Sequence, residues 1–114
     1  MQYWTDAQHQ QLLALCDRYA VARLWLFGSA TTGKFDPARS DFDFLLEMAP
    51  QEDGLVLGRN ILALWDALEG LFERRVDLVG LETITNPYLW ASIDRTRQLL
   101  YDRVYDRTSE KVPV

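Results

Sequence analysis

The sequence predicts an α+β fold: a small three-stranded mixed sheet packed with helices, in the order α-β-α-β-α-β-α. Three observations predict it. Short apolar runs at 21–27, 41–48 and 75–81 are too brief for helices and stop at turn residues. Longer stretches with apolar residues at helical spacing flank and separate them. The connection between the first two runs holds only a short turn of helix, less than a parallel crossover needs, so an antiparallel or mixed sheet follows.

The first helix runs from Thr5 to Ala20. Thr5 caps it, Gln8 completes a capping box, and Leu12, Leu15, Cys16 and Tyr19 form one apolar stripe. Cys16 lies on that stripe and reads as a small core residue. His9 sits among glutamines and reads as a solvated surface histidine. The first strand, Val21 to Phe27, stops at Gly28-Ser29. Ser29 to Gly33 has room for one helical turn, and the loop 34–40 carries Asp36-Pro37. Asp41 to Met48 is the second strand. The long helix Leu55 to Arg74 places Leu57, Ile61, Leu64, Leu68 and Phe72 on one face. Arg75 to Leu81 is the third strand. Asn86 caps the last helix, Pro87 opens it, and Leu89, Ile93 and Leu100 give its apolar side.

The 114 residues fit one domain, expected over 1–101, with a polar tail over 102–114. A content of 48% apolar residues, with four Trp, five Tyr and five Phe, excludes disorder for the bulk of the chain. Seventeen acidic against twelve basic side chains give a net charge of −5, a poor match for a nucleic-acid backbone. One Cys excludes an intrachain disulfide and a Cys-rich zinc site, and one His argues against a His cluster or a Ser-His-Asp triad. A metal would have to be held by oxygen, which favours a hard ion such as Mg²⁺. The polar N-terminus is unlike a signal peptide and no apolar run approaches a membrane span, so the expectation is a cytoplasmic protein with no membrane association.

Three features carry chemistry. Gly28-Ser29 lies at a strand-to-helix junction, where free N–H groups and the Ser29 hydroxyl suit a phosphate; it is also a common turn pair. Asp41 and Asp43 lie at i and i+2 on a strand and so project from one face about 6.5 Å apart, while Phe42 and Phe44 point into the core. Two such carboxylates repel, and a divalent cation supplies the counter-charge; the plainer reading has one capping a turn and the other solvated. Asp77 stands in the short apolar strand Val76–Val79, either salt-bridged to Arg74 or Arg75, or at a sheet edge, or, if the second and third strands are neighbours, completing a three-carboxylate set.

Leu26-Phe27-Gly28-Ser29, Gly33, Ser40-Asp41-Phe42-Asp43-Phe44-Leu45 and Val76-Asp77-Leu78-Val79 together resemble the polymerase-β-type nucleotidyltransferase superfamily, and the small size its minimal nucleotidyltransferase (MNT) branch. The resemblance spans about 20–101. It implies transfer of a nucleoside monophosphate from a triphosphate. Asp41, Asp43 and Asp77 would hold two Mg²⁺ ions, Asp77 would help deprotonate the attacking hydroxyl, and Gly28 and Ser29 would hold the outgoing phosphates. The family commonly has an Arg soon after Gly-Ser, where this chain has Ala30-Thr31-Thr32. Lys34 or Arg39 could supply that charge, or be a solvated loop charge.

Single-domain MNT proteins resemble the antitoxin half of HEPN/MNT toxin–antitoxin pairs. The resemblance thus implies a Mg²⁺-dependent adenylyltransferase that moves AMP from ATP to a hydroxyl, expected to be a tyrosine's, of a HEPN-type toxin. Two alternatives stand beside it: an antitoxin that acts by occlusion, and a small-molecule nucleotidyltransferase that needs a separate acceptor-binding subunit.

Overall fold

Thr5 caps the first helix, α1 (Asp6–Arg18), with the capping box its sequence predicts: its hydroxyl accepts from the Gln8 N–H at 3.1 Å, and the Gln8 side chain accepts from the Thr5 N–H at 2.9 Å. The computed structural model describes residues 2–103. The elements that follow are β1 (Val21–Phe27), α2 (Ser29–Thr32), β2 (Phe42–Met48), α3 (Gly54–Phe72), β3 (Val76–Gly80), a 3₁₀ turn (Leu81–Thr83), α4 (Pro87–Thr96) and β4 (Gln98–Asp102).

The sheet has four strands in the order β3-β2-β1-β4, one more than the sequence predicts. It is mixed, as expected: β1 pairs antiparallel with both β2 and β4, and β2 pairs parallel with β3 through the α3 crossover. The additional strand comes from the end of the last predicted helix. Asn86 caps α4 by accepting from the Tyr88 and Leu89 N–H groups, with Pro87 opening it, but the chain turns extended at Arg97. Leu100, expected on the apolar side of that helix, lies in β4 instead. A five-residue strand is too short to announce itself by alternation, and its pairing with β1 is long-range. Arg23 fastens it across the sheet, bonding Glu47 on β2 at 2.7 Å and Asp102 on β4 at 3.2 Å. Asp102 closes β4, and Arg103 donates to the carbonyls of Val21 and Asp17. The rest of the expected tail, 104–114, lies outside the described residues.

Strand alternation sorts side chains onto two faces. One carries Leu24, Leu26, Phe44, Leu46, Val76, Leu78 and Tyr101, packed on α1 through Leu12 and Cys16 and on α3 through Leu64 and Leu68. Phe42 and Phe44 lie in this core, as their places opposite the aspartates require. Burial pushes the Cys16 thiol up to about 12, so it is a core side chain and no nucleophile at neutral pH. The other face carries a smaller cluster of Trp25, Leu45 and Ile93 beneath α4. Arg97 is held between Trp25 and Trp90, with its guanidinium 4.9 Å from each ring.

His9 departs from its surface reading. It is half-buried, stacks on Trp4, and its Nδ1 accepts from the Trp4 indole N–H at 3.1 Å. The signal was Trp4 itself, whose buried indole needs an acceptor.

Candidate active site

The sheet brings three strand ends to one place: the exit of β1 and the entrances of β2 and β3. In register, Phe27 faces Asp43 across the antiparallel pair, and Asp43 faces Asp77 across the parallel pair. Asp43 and Asp77 therefore share the sheet face that carries Leu45 and Val79, beyond the end of its apolar cluster. Asp41 lies two residues upstream, just before β2, which begins at Phe42, one residue later than expected. Asp43 and Asp41 are half-buried, and Asp77 is exposed.

Burial, then the charge of Asp77, then that of Asp41, push the Asp43 carboxyl up to about 6. None of the three aspartates takes part in an ion pair or accepts a hydrogen bond to its side chain among the described residues. The salt bridge from Asp77 to Arg74 or Arg75 is absent. Carboxylates at neighbouring register positions with no ion pair among the described residues could be neutralised by a bound cation, and their all-oxygen donors fit a hard divalent ion. Among the described residues no three such side chains stand as a finished metal cluster.

Gly28 is shaped by Asp43. Its φ of 77° and ψ of −145° are open only to glycine. A Cβ here would stand 2.5 Å from Asp43 Oδ2. Glycine thus lets the β1 exit pass directly over the carboxylate. The one-turn helix α2 then begins at Ser29 and ends at Gly33 in the left-handed conformation. The Ser29 side chain makes no hydrogen bond among the described residues and stands one residue from the Gly28–Asp43 contact.

The two candidate cations separate. Arg39 is exposed and lines, with Ser40, Asp41, Glu73, Arg74 and Arg75, a cleft of about 290 Å³. Lys34 is exposed directly after α2 and does not line that cleft. Of the two, it is Arg39 that shares a cleft with Asp41, as Arg74 and Arg75 also do.

Two supports escaped the sequence reading. The outward-facing N–H and C=O of Val76, at the free edge of β3, are taken by α3: Glu69 Oε2 accepts from the N–H at 3.0 Å, and the Trp65 indole donates to the carbonyl at 2.7 Å. That fixes the residue before Asp77. Arg74 turns away from Asp77 to the 34–41 loop, where it donates to the carbonyls of Ser40 at 2.7 Å and Pro37 at 2.8 Å. Glu69 and Trp65 sit on the half-buried flank of α3, at a spacing that reads only as helix.

A glycine-serine turn thus passes over Asp43, with Asp41 just before the same strand and Asp77 across the parallel pair. The family description "Nucleotidyltransferase domain" matches residues 9–108, and the chain belongs to that family. Among individual proteins it is similar to MJ1379 of Methanocaldococcus jannaschii, named by inference a protein adenylyltransferase, with 32% identity over 76% of this chain and 82% of the relative. A solved structure described by inference as a minimal nucleotidyltransferase shares 32% identity, over 81% of this chain and 88% of that one, at a TM-score of 0.60. The fold also matches a toxin–antitoxin structure with AMP-PNP (21% identity, 86% and 76% of the two chains, TM-score 0.63). It matches as well a complex of tri-AMPylated Shewanella oneidensis HEPN toxin with MNT antitoxin (18% identity, 90% and 76%, TM-score 0.57).

Proposed function

We propose that this nucleotidyltransferase moves AMP from ATP to a tyrosine hydroxyl of a HEPN-type toxin and thereby acts as its antitoxin. The observation that carries the reading is the Asp43–Asp77 register together with the absence of any ion pair to the three aspartates among the described residues. An abandoned site has no physical reason to keep three mutually repelling acids. The family and the adenylyltransferase name of MJ1379 support the chemistry; the toxin–antitoxin structures that share the fold suggest the acceptor.

In this reading Asp41, Asp43 and Asp77 hold two Mg²⁺ ions. When bound, such ions neutralise the phosphates and stabilise the attacking and leaving oxygens of an in-line displacement. The Gly28 backbone and the Ser29 hydroxyl hold the outgoing pyrophosphate, and Arg39 offsets charge on the triphosphate where Ala30-Thr31-Thr32 offers none. Asp77, the most exposed of the three, takes the proton of the attacking hydroxyl, which then bonds to the α-phosphorus as the bond to pyrophosphate breaks. The rate comes from positioning and charge rather than from a covalent enzyme intermediate.

The Asp77→Ala variant tests this against occlusion. AMP incorporation by mass and toxin inhibition are measured at equal concentrations. Loss of both supports antitoxin action by modification. Loss of incorporation with full inhibition contradicts it and favours occlusion.

A further inference from the structure

We infer that Arg74 is a positioning residue that sets the metal-holding geometry of Asp41 by clamping the loop in front of it. The inference rests on the reading of Asp41 as a metal ligand. Asp41 precedes β2, so the sheet alone does not fix it. The loop before it is tied internally around Asp36: the Asp36 carbonyl accepts from the Arg39 and Ser40 N–H groups at 3.0 and 2.8 Å. The Asp36 carboxylate accepts from the Ala38 N–H at 2.9 Å, and the Ser40 hydroxyl accepts from the Asp36 N–H at 2.9 Å. These bonds make the turn rigid but do not anchor it to the sheet.

Phe35 packs the start of the loop onto Phe42, at 5.1 Å between ring centroids, and Arg74 supplies the polar anchor for the rest. Its planar fork bridges the Pro37 and Ser40 carbonyls with its two terminal nitrogens. The guanidinium lies 4.9 Å from the Phe35 ring and 5.3 Å from the Phe42 ring, so it touches both ends of the loop. It reaches there because Glu73 ends α3 in the left-handed conformation, φ 49° and ψ 45°. On its other side the Arg75 carbonyl accepts from the Phe42 N–H at 3.2 Å, which joins the start of β3 to the residue after Asp41. Asp41 is thus held from both neighbours by one dipeptide. A lysine keeps the charge and a flexible stem but replaces the planar two-nitrogen fork with one freely rotating ammonium, so it holds the two carbonyls less rigidly.

The test is Mn²⁺ binding by the full chain, followed by electron paramagnetic resonance, for wild type, Arg74→Met, Arg74→Lys, Asp41→Asn and Asp41→Asn/Arg74→Met. Arg74→Met is expected to weaken Mn²⁺ by about 10-fold, the scale of a support residue behind a metal ligand, and Arg74→Lys to an intermediate degree. If Arg74 acts through Asp41, the double variant binds no more weakly than Asp41→Asn alone, an outcome that general loosening of the fold would not give. Wild-type affinity in Arg74→Lys and Arg74→Met, or additive losses in the double variant, would overturn the inference while leaving the site intact. Wild-type affinity in Asp41→Asn would overturn the metal reading itself. Should Arg74→Met fail to fold, Arg74→Lys decides: affinity equal to wild type overturns the inference, and an intermediate loss supports it.

Discussion

Replacing Asp43 with asparagine should destroy transfer yet stabilise the metal-free protein, a combination that only a functionally strained carboxylate gives. Asp43 ionises near pH 6 in the fold, because of burial and the charges of Asp77 and Asp41, against an ordinary value of 3.8. If the group were wholly buried, that difference would correspond to about 3 kcal/mol. Asp43 is half-exposed, and solvent screening brings the figure to about 1–2 kcal/mol. The sign follows from linkage. An acid whose folded pKa is raised holds its proton more tightly in the fold, so ionisation opposes folding. The penalty is absent below the unfolded value, grows as pH rises toward about 6, and is complete above it. In thermal unfolding with a chelator present, Asp43→Asn should therefore melt several degrees above wild type at pH 7.5 and level with it near pH 3.5. Added Mg²⁺ should reverse the order, since wild type alone gains full metal stabilisation. Equal or lower stability of Asp43→Asn at pH 7.5 without metal would refute the account of this site as uncompensated charge.

Two further predictions follow from the same geometry. Gly28→Ala forces a Cβ against Asp43 Oδ2 in a backbone conformation closed to alanine; it should cost about 1–3 kcal/mol of stability and abolish AMP transfer, both read on the purified variant. Ser29→Ala removes one hydrogen bond to a charged phosphate and leaves the backbone donors, so kcat/KM should fall about 10- to 100-fold, less than for Asp43→Asn; a defect equal to the aspartate variant would mean the phosphates lie elsewhere.

Much of this site was legible because strand periodicity carries strict geometric information. Alternation through Phe42-Asp43-Phe44 puts the rings in the core and Asp43 on the opposite face, and the buried Phe42 and Phe44 bear that out, while Asp41 falls just before the strand. Asp77 needed one further fact, that β2 and β3 are neighbours, which no local pattern encodes and which the α3 crossover supplies. The capping residues Thr5 and Asn86 were readable since a cap is a contact between near neighbours in sequence. What escaped was long-range. Leu100 fits a helical stripe as well as a strand, and only β1 decides between them. Arg74 looked like a salt-bridge partner for Asp77, but carbonyls of the 34–41 loop, more than thirty residues upstream, claim it. Backbone acceptors have no sequence signature.

AMP transfer driven by these aspartates should be readable on the acceptor protein itself. The most direct measurement is the intact mass of a HEPN-type partner after incubation with this chain, ATP and Mg²⁺, followed by peptide mapping. A mass increase of whole AMP units on tyrosine is expected with the wild-type chain and none with Asp43→Asn or with a chelator. An unmodified partner that is nonetheless fully inhibited, or AMP incorporation undiminished in Asp43→Asn, would contradict it.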